Sequence, residues 1–310
     1  MLNKPLLIFL LLFAPFLVQA SVLYLEPEQG DYYPGDVFMM SIRIDSEDEC
    51  INTVKTSLSF DSNVLEALDF SEANSILSFW LKRAEINHNQ GVLSLAGGIP
   101  GGFCGQIFGD PRQSNLIGRV IFQVLTNTNL EGSEITGVNL QDSSVLLNDG
   151  LGTPARLSLK SAVLTIQPGQ PQVFRDEWVT VLKNDNLPPE DFKIEITRDS
   201  SAFNNQYFLV FSATDNQTGV DYFSVKEGEG DWQLAQSPYL LQDQTLKSQV
   251  IVRAVDKAGN SKIIEFLSLK EKNATTYSWF LLAFPIAALI FLFLYLLSKK
   301  NKKEKPPPIL

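Results

Sequence analysis

The sequence of 310 residues has one histidine, His88, and two cysteines, Cys50 and Cys104. These three side chains are too few to make a structural zinc site. Two cysteines also exclude a multi-disulfide scaffold. No Gly-x-Ser-x-Gly elbow, phosphate-binding loop, His-Glu-x-x-His or Cys-x-x-Cys occurs. Acidic neighbours exist, such as Glu47/Asp48 and Glu190/Asp191. Adjacent loop carboxylates are ordinarily just solvated, and a glycosidase needs two of them opposed across a groove. The reading is therefore no enzyme, with no catalytic, cofactor-binding or metal residue assigned. Positive charge is scarce: 25 Lys and Arg stand against 35 Asp and Glu, net −10. Setting aside Lys4 and the net +4 of the C-terminal tail leaves −15 on the part between. Such a surface argues against binding nucleic acid or anionic lipid through a basic patch. Long helical periodicity is missing too. Apolar–polar alternation instead recurs in short runs between Gly, Pro, Asn and Asp, which points to an all-β chain.

Two apolar runs stand apart from this pattern. Ser278 to Leu297 is twenty residues without a charge. As a helix it would span roughly 30 Å, the thickness of a bilayer's hydrocarbon core. Trp279 and Tyr295 lie near its ends, and Lys299, Lys300, Lys302, Lys303 and Lys305 follow; such a basic cluster stays cytoplasmic. At the other end Lys4, the run Leu6 to Val18 and Ala20 read as a secretory signal peptide. The expectation is a single-pass cell-membrane protein, N-terminus outside and C-terminus cytoplasmic. Its parts would be a signal peptide 1–20, a transmembrane helix 278–297 and a basic tail 298–310. A short stalk, 271–277, carries the sequon Asn273-Ala274-Thr275. A second sequon is Asn216-Gln217-Thr218.

Residues 21–167 form the first expected domain. Val22 to Leu25 is a strand, and Tyr33-Pro34-Gly35-Asp36 a turn. Phe38, Met40, Ile42 and Ile44 alternate, as do Val54, Thr56, Leu58 and Phe60, with Lys55, Ser57 and Ser59 on the other face. Gly91 to Ala96 and Leu116 to Leu125 add strands, and Ser144 to Leu147 and Leu157 to Ile166 close the domain. Two packed antiparallel sheets bury this pattern most simply. The order of elements resembles a cohesin domain, a jelly-roll receptor module. The matching stretches are Pro34-Gly35-Asp36, Leu58-Ser59-Phe60-Asp61-Ser62-Asn63-Val64-Leu65, Gly91 to Gly97, Leu116 to Val124 and Val163 to Ile166. The insertion Ile99 to Ser114 is longer than the resemblance leads one to expect. The resemblance implies binding without catalysis, to a dockerin-like protein module or to a polysaccharide, because the fold is shared with carbohydrate-binding modules.

Cys50 and Cys104 fall in expected loops of this domain. In an exported protein a pair usually forms a disulfide, the alternative being two free thiols. A linker, 168–187, contains Phe174 to Leu182, which reads as a short strand or bridging segment. The second domain, 188–270, shows about seven short strands. It resembles bacterial immunoglobulin-like or fibronectin-III-like repeats through Ala213-Thr214-Asp215-Asn216-Gln217-Thr218-Gly219-Val220 and Arg253-Ala254-Val255-Asp256-Lys257-Ala258-Gly259-Asn260. No cofactor is expected. Calcium shared by Asp215, Asp221 or Asp256 is left open, with turn chemistry weighed ahead of it.

The whole is read as a jelly-roll β-sandwich and a smaller immunoglobulin-like sandwich on a membrane anchor. Its function would be to bind an extracellular protein module or a polysaccharide; the alternative is a structural spacer without a dedicated ligand. Trp80, Phe79, Phe103 and Phe108 are the ligand-binding candidates, with core packing the competing role for each. Trp80 is expected to be the most exposed, because Leu81-Lys82-Arg83 follow it in a loop-like region. Trp232 and Tyr239 are expected to pack inside the second sandwich.

Overall fold

A computed structural model describes residues 20–47, 49–105, 115–126, 132–169 and 173–266, together with Ile290 and Leu294. Among these residues no helix is long and apolar enough to cross a membrane. This overturns the placement as a single-pass membrane protein. That placement rested on composition alone, whereas a span needs a continuous helix of about twenty residues. The helix Glu177–Asn184 has only eight. The expected signal peptide apart from Ala20, the stalk, the run 278–297 apart from Ile290 and Leu294, the basic tail and Phe108 lie outside the described residues.

The chain divides into two units. The first comprises its residues up to Phe192 with 212–222 and 254–262. Eleven strands build most of it: β1 Ser21–Glu26, β2 Gln29–Tyr32, β3 Val37–Asp45, β4 Ile51–Ser59, β5 Leu65–Ser71, β6 Phe79–Asn87, β7 Val92–Phe103, β8 Leu116–Val124, β9 Glu134–Leu147, β10 Leu157–Lys160 and β11 Ala162–Ile166. They form a five-stranded sheet, β10-β1-β3-β8-β5, and a six-stranded sheet, β2-β11-β9-β4-β7-β6. The period-two pattern decides which face is inside. Leu23, Phe38, Met40, Ile42 and Phe122 from one sheet meet Val54, Leu58, Leu93, Val138 and Leu164 from the other, all fully buried. Aromatic packing fixes the middle of this layer. Phe38 stacks on Tyr32 at 3.9 Å between centroids and lies 5.7 Å from Phe122, which Phe60 meets edge-on at 5.1 Å. Gly118 on β8 leaves room for Phe70; a Cβ there would lie 2.1 Å from the Phe70 ring. The expected turn forms at Pro34-Gly35, where Gly35 has φ 94° and the Asp36 carboxylate accepts the Tyr33 N–H at 3.0 Å.

Both ends of the sandwich chain are split between the sheets. β1 lies in one and β2 in the other, and β10 and β11 do likewise. β1 pairs with β10 in parallel, Leu23 opposite Leu159, and β2 pairs with β11 in parallel, Gly30 opposite Leu164. All the other strand pairs in the two sheets are antiparallel.

Two elements differ from expectation. Residues 79–83 are strand β6, paired with β7 through Trp80–Gly97, Lys82–Ala96 and Glu85–Ser94. As an edge strand it has apolar side chains on little more than one side, so its composition reads as loop. The segment 174–182 is largely a helix, α1 Glu177–Asn184, instead of a strand. Asp176 is its N-cap, accepting the Val179 N–H at 2.8 Å, with Glu177 in the first turn and Lys183 in the last. These are the charges that a helix dipole favours at each end. Trp178, Val181 and Leu182 share one face at helical spacing and pack on Val37, Met39 and Ile121.

Seven further strands follow: β12 Ile194–Asp199, β13 Ala202–Phe211, β14 Val220–Glu227, β15 Gln233–Ala235, β16 Tyr239–Leu240, β17 Val250–Asp256 and β18 Ser261–Phe266. They form a three-stranded sheet, β12-β13-β16, and a four-stranded sheet, β15-β14-β17-β18. The second unit, 193–211, 223–253 and 263 onward, has its own core around Leu209, Phe211, Phe223, Val225 and Val252. Phe211 and Phe223 lie 4.9 Å apart within it. Trp232 does not pack inside; it is about a third exposed, under the Arg253 guanidinium at 4.5 Å.

Cys50 and Cys104 are disulfide-bonded, with S–S 2.04 Å, across a sequence separation of 54. The bond ties the start of β4 to the end of β7, next to the Ile51–Phe103 pair. Closing such a loop restricts the unfolded chain by roughly 4 kcal/mol in the chain-entropy model. The double substitution Cys50→Ser, Cys104→Ser is expected to lower the unfolding free energy by about that amount. Urea unfolding of the two proteins checks this, and coincident midpoints would refute it.

Candidate functional site

The outer face of the six-stranded sheet carries exposed apolar side chains. β4 runs through the middle, between β9 and β7, and β6 is a free edge. Because Val54 and Leu58 point into the core, the alternation puts Lys55, Ser57 and Ser59 on the other side, where Lys55 is exposed, Ser59 partly exposed and Ser57 buried. Thr56, on the inner side with Val54 and Leu58, is buried opposite an irregularity in the β9 pairing, its hydroxyl 2.8 Å from that of Ser143. On β7, Leu93 and Leu95 are buried while Val92, Ser94 and Ala96 face outward. The centre of the face is thus small and mostly uncharged. At the β6 edge stand Phe79, 57% exposed, and Leu81, 64% exposed. Beside them Lys82 lies along the sheet, donating to the Ser94 hydroxyl at 2.9 Å and pairing with Glu85 at 2.8 Å.

The aromatic candidates separate. Trp80 is not the exposed one; it is partly buried against the core, edge-on to Phe70 at 6.0 Å. Strand geometry explains the reversal, since neighbours on a strand point to opposite faces and Phe79 takes the outer one. Trp80 also lines a cavity of about 110 Å³ with Glu72 and Arg83, which are ion-paired at 2.8 Å. Burial pushes the Glu72 carboxyl above its usual range, with the Arg83 guanidinium acting against that shift. Phe103 ends β7 and is partly buried against the core.

A second constellation joins three buried carboxylates, Asp185, Asp215 and Asp256, each offering an oxygen within 4.8 Å of the others. All three belong to the first unit, and they are 5%, 4% and 1% exposed. Each carboxylate first organises local backbone. Asp215 Oδ1 accepts the N–H groups of Gln217, Thr218 and Gly219 at 3.0, 2.9 and 2.8 Å. Asp256 Oδ1 accepts the Asn260 N–H at 2.8 Å. Asp185 Oδ1 accepts the Leu187 N–H at 3.1 Å, and its Oδ2 accepts the Thr218 hydroxyl at 2.6 Å. The expected turn chemistry is therefore present, and the same turns bring the acids together. Burial raises the Asp256 carboxyl above its ordinary value; hydrogen bonds from Asn260 oppose this, and the charges of Asp185 and Asp215 add to it. Asp221, the third acid considered from sequence, is elsewhere, 4.0 Å from Lys257. Asp185 was not singled out: Asn184-Asp185-Asn186 reads only as punctuation, and nothing in the spacing signals its return to residues 215 and 256. Three carboxylate oxygens at this spacing are the donors that a hard divalent cation such as calcium takes.

The first unit is thus a two-sheet β-sandwich presenting one open sheet face, with an acidic cluster beside its turns. No family model matches the chain, and no curated protein does. Among solved structures it is similar to a type I cohesin–dockerin complex from Clostridium thermocellum, at 12% identity and TM-score 0.40, over 48% of this chain and 95% of that one. It is similar to a non-cellulosomal cohesin from the archaeon Archaeoglobus fulgidus at 15% identity and TM-score 0.36, over 48% of this chain and 91% of that one. A third is the cohesin module of a family 33 glycoside hydrolase from Clostridium perfringens, at 15% identity and TM-score 0.36, over 48% and 97%.

The acidic cluster makes a prediction whose sign depends on calcium. A raised folded-state value means that ionised Asp256 weakens the fold. Without a cation, the associated stability is complete below the ordinary value of 3.8 and is lost as pH rises through the raised one. Asp256→Asn should then raise the melting temperature in chelator at neutral pH. In calcium the same change removes a ligand and should lower it, by about a few degrees. Thermal unfolding in calcium and in chelator tests this. A shift of the same sign in both would exclude cation binding by these three residues.

Proposed function

We propose that the first unit is a noncovalent receptor for a folded protein module, which it engages with the outer face of the six-stranded sheet. The observation behind this reading is the pairing of Phe79 and Leu81, both well exposed, at the free edge of a face whose adjoining strand presents Val92, Ser94 and Ala96. Exposed apolar side chains beside a flat face of small residues supply anchors without obstructing a partner's approach. Lys55, exposed on that face, is a positive charge on a chain of net −10, which favours a partner that is acidic where it touches. The sequence resemblance to cohesins names a dockerin-like module as the first partner to try. The second unit is read as an immunoglobulin-like spacer. The polysaccharide alternative would use Phe79 as its exposed ring.

Biolayer interferometry with the full chain, against a panel of dockerin modules and soluble polysaccharides, tests the reading. At least one dockerin should be captured, and Leu81→Asp should weaken that capture at least about tenfold, as expected for an interface anchor. Capture of none, or capture indifferent to both Leu81→Asp and Phe79→Asp, overturns the proposal. Retention of a polysaccharide that is lost on Phe79→Ala would replace it with the glycan reading, and retention of nothing at all would favour the structural spacer.

A further inference from the structure

The sheet face makes no use of a cavity of about 200 Å³ elsewhere in the first unit. Met39 from β3 and Trp178 and Val181 from α1 supply apolar wall, and Arg119 from β8 and Gln217 supply polar groups. Arg119 is partly buried, and its Nη1 donates to the Ala73 carbonyl at 3.3 Å. Among the described residues no carboxylate is hydrogen-bonded or ion-paired to it. Its neighbour Arg43, by contrast, donates to Glu26 and to Asn115. A guanidinium partly withdrawn from water gains from an anionic partner, and its planar fork suits a carboxylate. Burial and the nearby Arg43 charge work against the charged form of Arg119, with the Glu26 carboxylate acting the other way, so an anion seated on it would add to what Glu26 supplies. The Gln217 side-chain amide, which makes no hydrogen bond among the described residues, is a second donor at the same cavity. Size decides what else could enter. An engineered cavity of about 150 Å³ in another protein binds benzene. This one therefore has room for a group of that size and a carboxylate, whereas the 110 Å³ cavity beside Trp80 does not.

We propose that this cavity binds a monocarboxylate bearing a compact apolar group, with the carboxylate on Arg119 and Gln217 and the apolar group against Met39, Trp178 and Val181. A free organic acid and the C-terminus of a chain ending in an apolar residue share this chemistry. The test uses the full chain, with the Trp178 indole N–H resonance as readout. It is titrated with benzoate, benzamide, N-acetylphenylalanine and the amide of the last. Each acid should shift that resonance and bind at least about tenfold more tightly than its amide. Arg119→Gln should abolish the difference while leaving the weak amide binding in place, and Arg119→Lys should retain part of it. Tighter binding of N-acetylphenylalanine than of benzoate would support the chain-terminus source, and the reverse order would support a free acid. Equal binding of acid and amide by the unmodified protein, or no shift with any of the four, overturns the proposal without reliance on a variant that fails to fold.

Discussion

The first unit depends on one buried layer in which the apolar faces of two sheets meet. Phe38, Phe122 and Leu58 are each fully removed from water there, and burial of this kind is the main term favouring the folded state. Because strand side chains alternate, fixing that layer fixes every outward position as well. Lys55, Ser94 and Ala96 face outward because their neighbours Val54, Leu93 and Leu95 must face in. The outer face is therefore a by-product of the core, and it keeps its shape for as long as the core does. The same layer decides where the helix sits, since Trp178 covers Val37 and Ile121 on the outside of the five-stranded sheet.

Much of this was legible in sequence. The runs at Phe38 to Ile44, Val54 to Phe60 and Gly91 to Ala96 alternate cleanly, and one face of each is buried in the structure. The turn at Pro34-Gly35 was legible because only certain residues suit its backbone. What stayed hidden was the edge and the connection. β6 mixes Phe79, Trp80 and Leu81 with charged neighbours, and an edge strand has little need of a repeated pattern. α1 is eight residues long, too short for periodicity to outweigh the β-branched Val179, Thr180 and Val181. β9 begins at Glu134, ahead of the Ser144 to Leu147 strand read from sequence, since a polar Thr136 on its buried side and an apolar Ile135 on its outward side blur the alternation.

The acidic cluster was the hardest part to foresee, because its members come from three distant turns. Asp215 and Asp256 sit in motifs with clear turn chemistry, and each does hold backbone N–H groups. Their approach to Asp185 is a property of packing, expressed through the Thr218 hydroxyl, which bonds Asp185 from within the Asp215 turn. Local sequence explains why each aspartate is where it is along the chain. Only the fold explains why their charges share one buried space.

The division of both chain ends between the sheets bears on when this protein can fold. β1 and β2 find their parallel partners only in β10 and β11, so Leu23 waits for Leu159 and Gly30 for Leu164. A ribosome delivering the chain releases well over a hundred residues between those partners. Until then the first strands have open edges, and Leu23 and Leu25 have only part of their eventual cover. Pairings of such long sequence separation are slow to form. The sandwich is therefore completed at its seam, after synthesis has passed Ile166, with β1 and β2 among the last of its strands to be secured.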